Sequence, residues 1–338
     1  WGADSMEIWQ ILLLIVVILA VVFFAFVGAV AKYLYEFAID RRGKKNIHTE
    51  GKSPSAQIKR ENPEQSASIL RYTPEMVAAL ERDGEEIFIQ SEDGLRLRAY
   101  EVMLPGSHDY AILCHGYLGN LEEMIRFGEE YRKRGFSVLL PDIRAHGKSE
   151  GTDRCMGWLA RKDMLLWIDR AVRRDPEARV LLFGISMGGA LVMMTGGEKL
   201  PPQVRGIIED CGYTSAWDEF AYQVHDMFHL PVFPCLYAAG AIVKRRAGYR
   251  LKEASAVEQL KKCHVPMLFI HGGDDRFVPP WMLDKVYDAA AGPKEKLLIP
   301  GAGHARAAVV DPARYWQAVD HFLAVYFPKE EENGPAAE

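Results

Sequence analysis

Hydrophobic and polar positions fall into distinct regimes along the chain. From Ile8 to Ala31 the residues IWQILLLIVVILAVVFFAFVGAVA contain no charge. As a helix they would cover about 36 Å against a hydrocarbon core of about 30 Å. The pattern predicts a transmembrane helix over 8–31. A cleavable signal peptide competes through the triplet Ala29-Val30-Ala31, but the stretch exceeds an h-region and no Lys or Arg precedes it. Residues 41–68 are polar and charged, which predicts a flexible linker that cannot repay the entropy of ordering. Residues 328–338 read as a disordered acidic tail, and Trp1–Ser5 as an expression remnant ahead of a native start at Met6.

Between linker and tail, residues 69–327 alternate in a different way. EEIFIQSEDGLRLRAYEVML has period-2 stretches around Glu92-Asp93-Gly94 and predicts a hairpin. Short apolar runs follow at 110–114, 137–140, 180–185, 206–209, 267–270 and 296–299, with helix-like segments between them. Near-continuous apolar strands separated by helices predict an α/β domain, its mostly parallel central sheet covered on both faces. The interval after Asp210 is too long for a simple crossover and rich in aromatic residues. It predicts an inserted helical cap over about 212–255; a longer helix pair that merely packs is the plainer reading.

Charge and cysteine usage narrow the setting. Glu7 precedes the apolar helix, whereas Lys32, Arg41, Arg42, Lys44 and Lys45 follow it, which predicts a single-pass protein with its domain on the cytoplasmic side. Five widely spaced cysteines form no CxxC pair and suit reduced, buried thiols. A net charge of −5 offers no basic footprint for nucleic acid.

Candidate chemistry centres on LLFGISMGGA, where Gly184-Ile185-Ser186-Met187-Gly188 fits G-x-S-x-G between a strand-like run and a buried helix. A serine hydroxyl is a poor nucleophile unless a base takes its proton, and that base needs a carboxylate to hold its tautomer. Asp275 in MLFIHGGDDRFVP and His304 in LLIPGAGHA each lie just past a strand, giving the order Ser, Asp, His. Asp274 is the competing acid. The backbone N–H of Met187, directly after the serine, is one candidate oxyanion donor. Asp142 and His146 of PDIRAHGKSEG, with Asp210, read as structural polar residues that fix backbone. Gly272 to Asp275 is no metal loop, since no second acidic strand accompanies it, and the chemistry calls for neither metal nor cofactor.

LCHGYLGN, PDIRAHGKSEG, GISMGG, HGGDDRFVP and GAGHA, in that order, resemble the α/β-hydrolase superfamily over about residues 85–327. With EDCGYTS after the nucleophile region, the chain looks most like membrane-anchored Bem46-like hydrolases in the serine aminopeptidase-like group. The resemblance implies an α/β-hydrolase fold, with Ser186 as nucleophile, Asp275 as acid, His304 as base and the Tyr117 amide as second oxyanion donor. His115 then orders the loop. Tyr213, Trp217, Phe228 and Phe233 of the cap are candidate substrate-binding residues, and Lys244, Arg245, Arg246 and Arg250 could face anionic headgroups. The expected function is hydrolysis of an ester or thioester on a lipid-like or acylated substrate. A peptidase of the same fold and a non-catalytic membrane-bound binding module are the alternatives.

Overall fold

The computed structural model describes residues 7–44, 46–47 and 71–329; Trp1–Ser5, most of the predicted linker and the tail from residue 330 lie outside them. Among the described residues the strands β1 (Glu85–Gln90), β2 (Arg96–Val102), β3 (Asp109–Cys114), β4 (Ser137–Pro141), β5 (Arg179–Ile185), β6 (Val204–Asp210), β7 (Met267–Gly272) and β8 (Lys294–Ile299) build one sheet in the order β1-β2-β4-β3-β5-β6-β7-β8. β1 and β2 form the hairpin expected at Glu92-Asp93-Gly94, with Gly94 at φ 86° in the turn. β2 also runs antiparallel to β4, and every pairing from β4 to β8 is parallel. Every residue of β4 and β7 is buried, as uninterrupted Val, Leu, Ile and Phe runs require of strands covered on both faces.

The helices are α1 (Ile8–Ala38), α2 (Pro74–Asp83), α3 (Ile125–Lys133), α4 (Ala160–Arg174), α5 (Met187–Gly196), α6 (Ala216–Phe228), α7 (Val232–Arg246), α8 (Ala256–Leu260), α9 (Trp281–Ala289), α10 (Ala307–Val310) and α11 (Pro312–Tyr326). Trp167 of α4, Met193 of α5 and Met282 of α9 pack in one apolar cluster, and Phe127 of α3 with Tyr315 and Phe322 of α11 in another. All ten residues of α5 are buried, so this helix is apolar on every side where an exposed one would show a polar stripe.

α6 starts where the Ser215 hydroxyl accepts from the Asp218 amide at 3.0 Å, and it ends at His229 in the left-handed region. α7 follows, and the two helices lie within the interval where a cap is expected.

α1 is longer than the predicted span and has two parts. Ile8 to Phe26 presents an almost unbroken exposed apolar surface, about 28 Å long at the helical rise, close to the thickness of a hydrocarbon core. From Val27 the helix turns protein-facing: Val27, Ala31, Leu34, Tyr35 and Phe37 are buried, and α1 packs along α7. Phe37 meets the Phe228 ring edge-on at 5.2 Å. The chain then stays pinned. The Tyr35 hydroxyl bonds Asp153, the Arg154 amide donates to Ile39 O at 2.8 Å, and the Arg41 guanidinium donates to the Ser149 and Gly147 carbonyls at 2.6 Å. The start of the predicted linker is therefore docked structure, because Arg41 finds carbonyl acceptors and Ile47 an apolar cavity. At the other end Pro328 O accepts from Arg179 at 2.6 Å, so the ordered chain runs past Phe327.

Candidate active site

β5 ends at Ile185 and α5 begins at Met187, leaving Ser186 alone in the turn with φ 56° and ψ −116°. A non-glycine residue there costs about 1–3 kcal/mol, and such strain persists only where the surroundings enforce it. They do so through close approach. A Cβ on Gly188 would lie 2.2 Å from Cys114 O, and one on Gly184 would lie 2.1 Å from Gly188 O. The Ser186 amide donates to Asp210 O at 2.7 Å, tying the turn to the end of β6.

The loops after β7 and β8 deliver Asp275 and His304 to this turn. His304 Nδ1 lies 2.7 Å from Asp275 Oδ2, and His304 Nε2 lies 2.9 Å from Ser186 Oγ. Because a carboxylate only accepts, Nδ1 carries the hydrogen and Nε2 accepts from the serine hydroxyl. Asp275 is itself fixed, its Oδ1 accepting from the Phe277 and Val278 amides at 2.8 and 2.9 Å. Asp274, the competing acid, is exposed, whereas Asp275 is buried. Burial opposes protonation of His304, but the Asp275 carboxylate, with Glu219 and Asp210 nearby, outweighs it and holds the imidazole above its ordinary pKa. A hydroxyl bonded to an imidazole whose far nitrogen faces a carboxylate can lose its proton as it attacks.

Met187 occupies the first turn of α5, where backbone N–H groups have no intrahelical acceptor. Tyr117, in the loop after β3, lines the same cavity as Ser186, and its hydroxyl donates to Ala38 O at 2.8 Å. His115 orders that loop: its ring bridges the Gly116 carbonyl at 2.7 Å and the Ile143 amide at 3.0 Å. Asp142 accepts from the Leu121 and Lys148 amides and from Arg98. His146 faces Arg144 O at 3.0 Å, and Asp210 accepts from the Tyr315 hydroxyl at 3.0 Å. Cys211, Asp275 and His304 place ligand-type atoms within 4.8 Å of one another. Both His304 nitrogens are already engaged, and burial pushes the Cys211 thiol far up, which disfavours the thiolate a metal would need.

The cavity over Ser186 lies between the C-terminal end of α1 and the helices α6 and α7. Leu34, Phe37, Ala38, Ile39 and Ile47 form one wall; Tyr213, Glu219, Phe220, Val224 and Phe228 form the opposite one, with Leu236, Ala239 and Val243 of α7 closing it. Of the predicted cap residues, Tyr213 and Phe228 reach this cavity. Trp217 and Phe233 do not. Trp217 packs edge-on to Tyr237 at 4.9 Å beneath Lys252, and Phe233, 73% exposed, packs on the outer side of Tyr237. α7 turns Leu236 and Val243 inward and Tyr237 outward, while Phe233 sits at a kink with extended backbone angles, φ −99° and ψ 130°, ahead of the regular helix. Lys244 and Arg245 are exposed, while Arg246 lies over the Tyr35 ring at 5.2 Å and Arg250 approaches Glu253. Glu219 and the wall from α1 were not among the residues singled out from the sequence.

Comparison with known proteins agrees with this architecture. A family model described as the alpha/beta hydrolase fold matches residues 112–239. The uncharacterized protein YqkD of Bacillus subtilis is 26% identical over 70% of this chain and 77% of its own length. The alpha/beta hydrolase domain-containing protein WAV2 of Arabidopsis thaliana is 26% identical over 73% of this chain and 80% of its own. An uncharacterized membrane protein of Saccharomyces cerevisiae is 22% identical over 71% and 79%. Among solved structures, an esterase of Pyrococcus furiosus superposes with a TM-score of 0.60 at 22% identity, covering 76% of this chain and 95% of the esterase. The match spans the strand, turn and helix that hold Ser186, and the likeness to the esterase extends over most of the remaining domain: the chain has the α/β-hydrolase fold.

Proposed function

We propose that this hydrolase is a membrane-anchored serine hydrolase that cleaves an ester or thioester of a lipid-like or acylated substrate. The observation that carries the reading is the continuous hydrogen-bonded line from Ser186 through His304 to Asp275, set on a strained turn at an apolar cavity. In the proposed reaction Ser186 Oγ attacks the acyl carbon as His304 Nε2 takes the hydroxyl proton, and Asp275 stabilises the imidazolium. The Met187 and Tyr117 amides receive the charge on the carbonyl oxygen. Collapse breaks the bond to the leaving group, which takes the proton from His304. A water activated by His304 then hydrolyses the acyl-enzyme and restores Ser186. The sequence of steps needs no cofactor.

Two features favour a lipid-like acyl chain. The cavity walls are mostly apolar, and one wall is the end of the helix whose exposed half matches a bilayer core. Substrate partitioned into the membrane would therefore meet the site at high local concentration. The charge asymmetry around α1 and the five free, buried cysteines favour a single-pass anchor with the domain on the cytoplasmic side. Neither nucleic acid nor a protein partner enters this reading.

The test compares kcat/KM of the full chain in phospholipid vesicles for vesicle-borne acyl esters, soluble short esters and aminoacyl anilides. Preference for the vesicle-borne esters supports the reading, preference for the anilides favours a peptidase, and turnover of none favours a binding module. A truncation to remove the membrane part should stop at Phe26, since a longer one strips a wall from the cavity.

A further inference from the structure

With Ser186 as the proposed nucleophile, the polar side chains lining the cavity can be accounted for one by one. Ser186 donates to His304, Tyr117 to Ala38 O and Tyr35 to Asp153. Gln223 Nε2 donates to Glu219 Oε1 at 2.8 Å and to Phe277 O at 2.7 Å. Two atoms are left over. Glu219 Oε2 and Tyr213 Oη have no hydrogen-bond partner among the described residues, although Glu219 is 3% exposed and Tyr213 2%. A buried polar group without a partner costs about 1–3 kcal/mol, and protein interiors satisfy nearly all such groups. These two orphans share one mostly apolar cavity with Ser186, where a ligand atom can complete the bonding.

We propose that Glu219 Oε2 and Tyr213 Oη form a polar subsite that receives a free hydroxyl of the substrate, so that the preferred esters are partial esters of a polyol. Glu219 and Tyr213 line the same cavity as Ser186, and when ionised the Glu219 carboxyl acts on both the Tyr213 hydroxyl and the His304 ring. Burial pushes its pKa up to about 8 against the opposing bond from Gln223, so at neutral pH it is mainly the neutral acid. A neutral carboxyl and a phenol both donate and accept, and so does an alcohol; the three groups can satisfy one another without any net buried charge. An ammonium group would demand an ionised Glu219, and a substrate carboxylate would be repelled once Glu219 ionised. The apolar remainder of the cavity is left for the acyl chain.

The experiment uses the full chain in detergent with 1-mono-octanoylglycerol and propyl octanoate, which share acyl chain and three-carbon alcohol but differ in the two free hydroxyls. The wild type should show kcat/KM at least tenfold higher for the glycerol ester. Tyr213→Phe and Glu219→Leu should each bring that ratio to within threefold of one, while Glu219→Gln, which keeps a donor and an acceptor, retains most of the preference. Thermal melting identifies any variant that fails to fold; Tyr213→Phe removes a single oxygen and carries the test if Glu219→Leu does not fold. A wild-type ratio near one, or a ratio unchanged in Tyr213→Phe and Glu219→Leu, overturns the subsite alone. So does a preference for 2-aminoethyl octanoate that disappears in Glu219→Gln, since it would show a cation pocket. Turnover of neither ester, with no fluorophosphonate adduct on Ser186, overturns the serine-hydrolase reading and the subsite together.

Discussion

Gly188→Ala is a one-methyl perturbation whose cost can be worked from the structure. The added Cβ would lie 2.2 Å from Cys114 O and 2.7 Å from His115 O, whereas real Cβ atoms essentially never come closer than 3.0 Å. Both obstacles are backbone, at the end of β3 and the start of the Tyr117 loop, so neither can rotate away. The first turn of α5 must move about 0.8 Å from β3, taking Ser186 and the Met187 amide with it. Overpacking of this kind costs about 1–3 kcal/mol, or a fall of several degrees in Tm for a domain of this size. A displacement near 1 Å at reacting groups costs about 100-fold in rate. Gly116→Ala is the control, because its Cβ would meet Ser186 Cβ at 3.6 Å and Ile185 O at 3.7 Å, ordinary contacts. The assay is kcat/KM on a short chromogenic ester beside thermal melting of both variants. We expect Gly188→Ala to lose about 100-fold in kcat/KM and several degrees in Tm, and Gly116→Ala to melt within about 2 °C of wild type. A Gly188→Ala protein with activity within threefold of wild type would refute the reasoning, since the close approach of α5 to β3 would then hold nothing in place.

Further outcomes follow from the electrostatics and from the docking of α1. His304 must be neutral to take the serine proton, and its folded pKa is held above 6.5, so kcat/KM should fall with decreasing pH through a midpoint above 6.5; a midpoint clearly below that value contradicts the assigned environment. Tyr117→Phe removes the bond to Ala38 O, at a cost of about 1 kcal/mol, and should lower Tm by a few degrees as well as kcat/KM, because the same loop carries the proposed oxyanion amide; an unchanged Tm would show that the contact contributes nothing. Arg98→Met strands Asp142, which is fully buried and bonded to Arg98 at 3.1 Å, and should cost about 3–5 kcal/mol in denaturant unfolding; a loss below 1 kcal/mol would mean Asp142 is satisfied by its backbone donors.

What could be read from the sequence follows the range over which each feature is determined. The strand before Ser186, the glycines around it and the helix after it are encoded within a few residues, and the structure reproduces that segment. The resemblance picks Asp275 over Asp274, and the structure supplies the physical reason: the observed turn aims Asp275 Oδ1 at two amides and Oδ2 at His304. The exposed and the buried turns of α1 are both apolar, so composition could not show that the helix becomes protein-facing at Val27. Phe233 is exposed because the chain kinks there, with extended backbone angles inside the α7 span, and no local period records such a kink. Glu219 reads as a solvated helix charge, and its spacing of four from Gln223 was the one available hint of a bonded pair.

The central claim is that Ser186 is a nucleophile activated by His304, and the most direct measurement is intact-mass labelling of the full chain with a fluorophosphonate, beside Ser186→Ala and His304→Ala. The account predicts a single adduct on the wild type that maps to Ser186, none on Ser186→Ala, and labelling of His304→Ala slowed by about 1,000-fold or more. Labelling of Ser186→Ala at the wild-type rate, or no adduct on a folded wild-type chain, would contradict it.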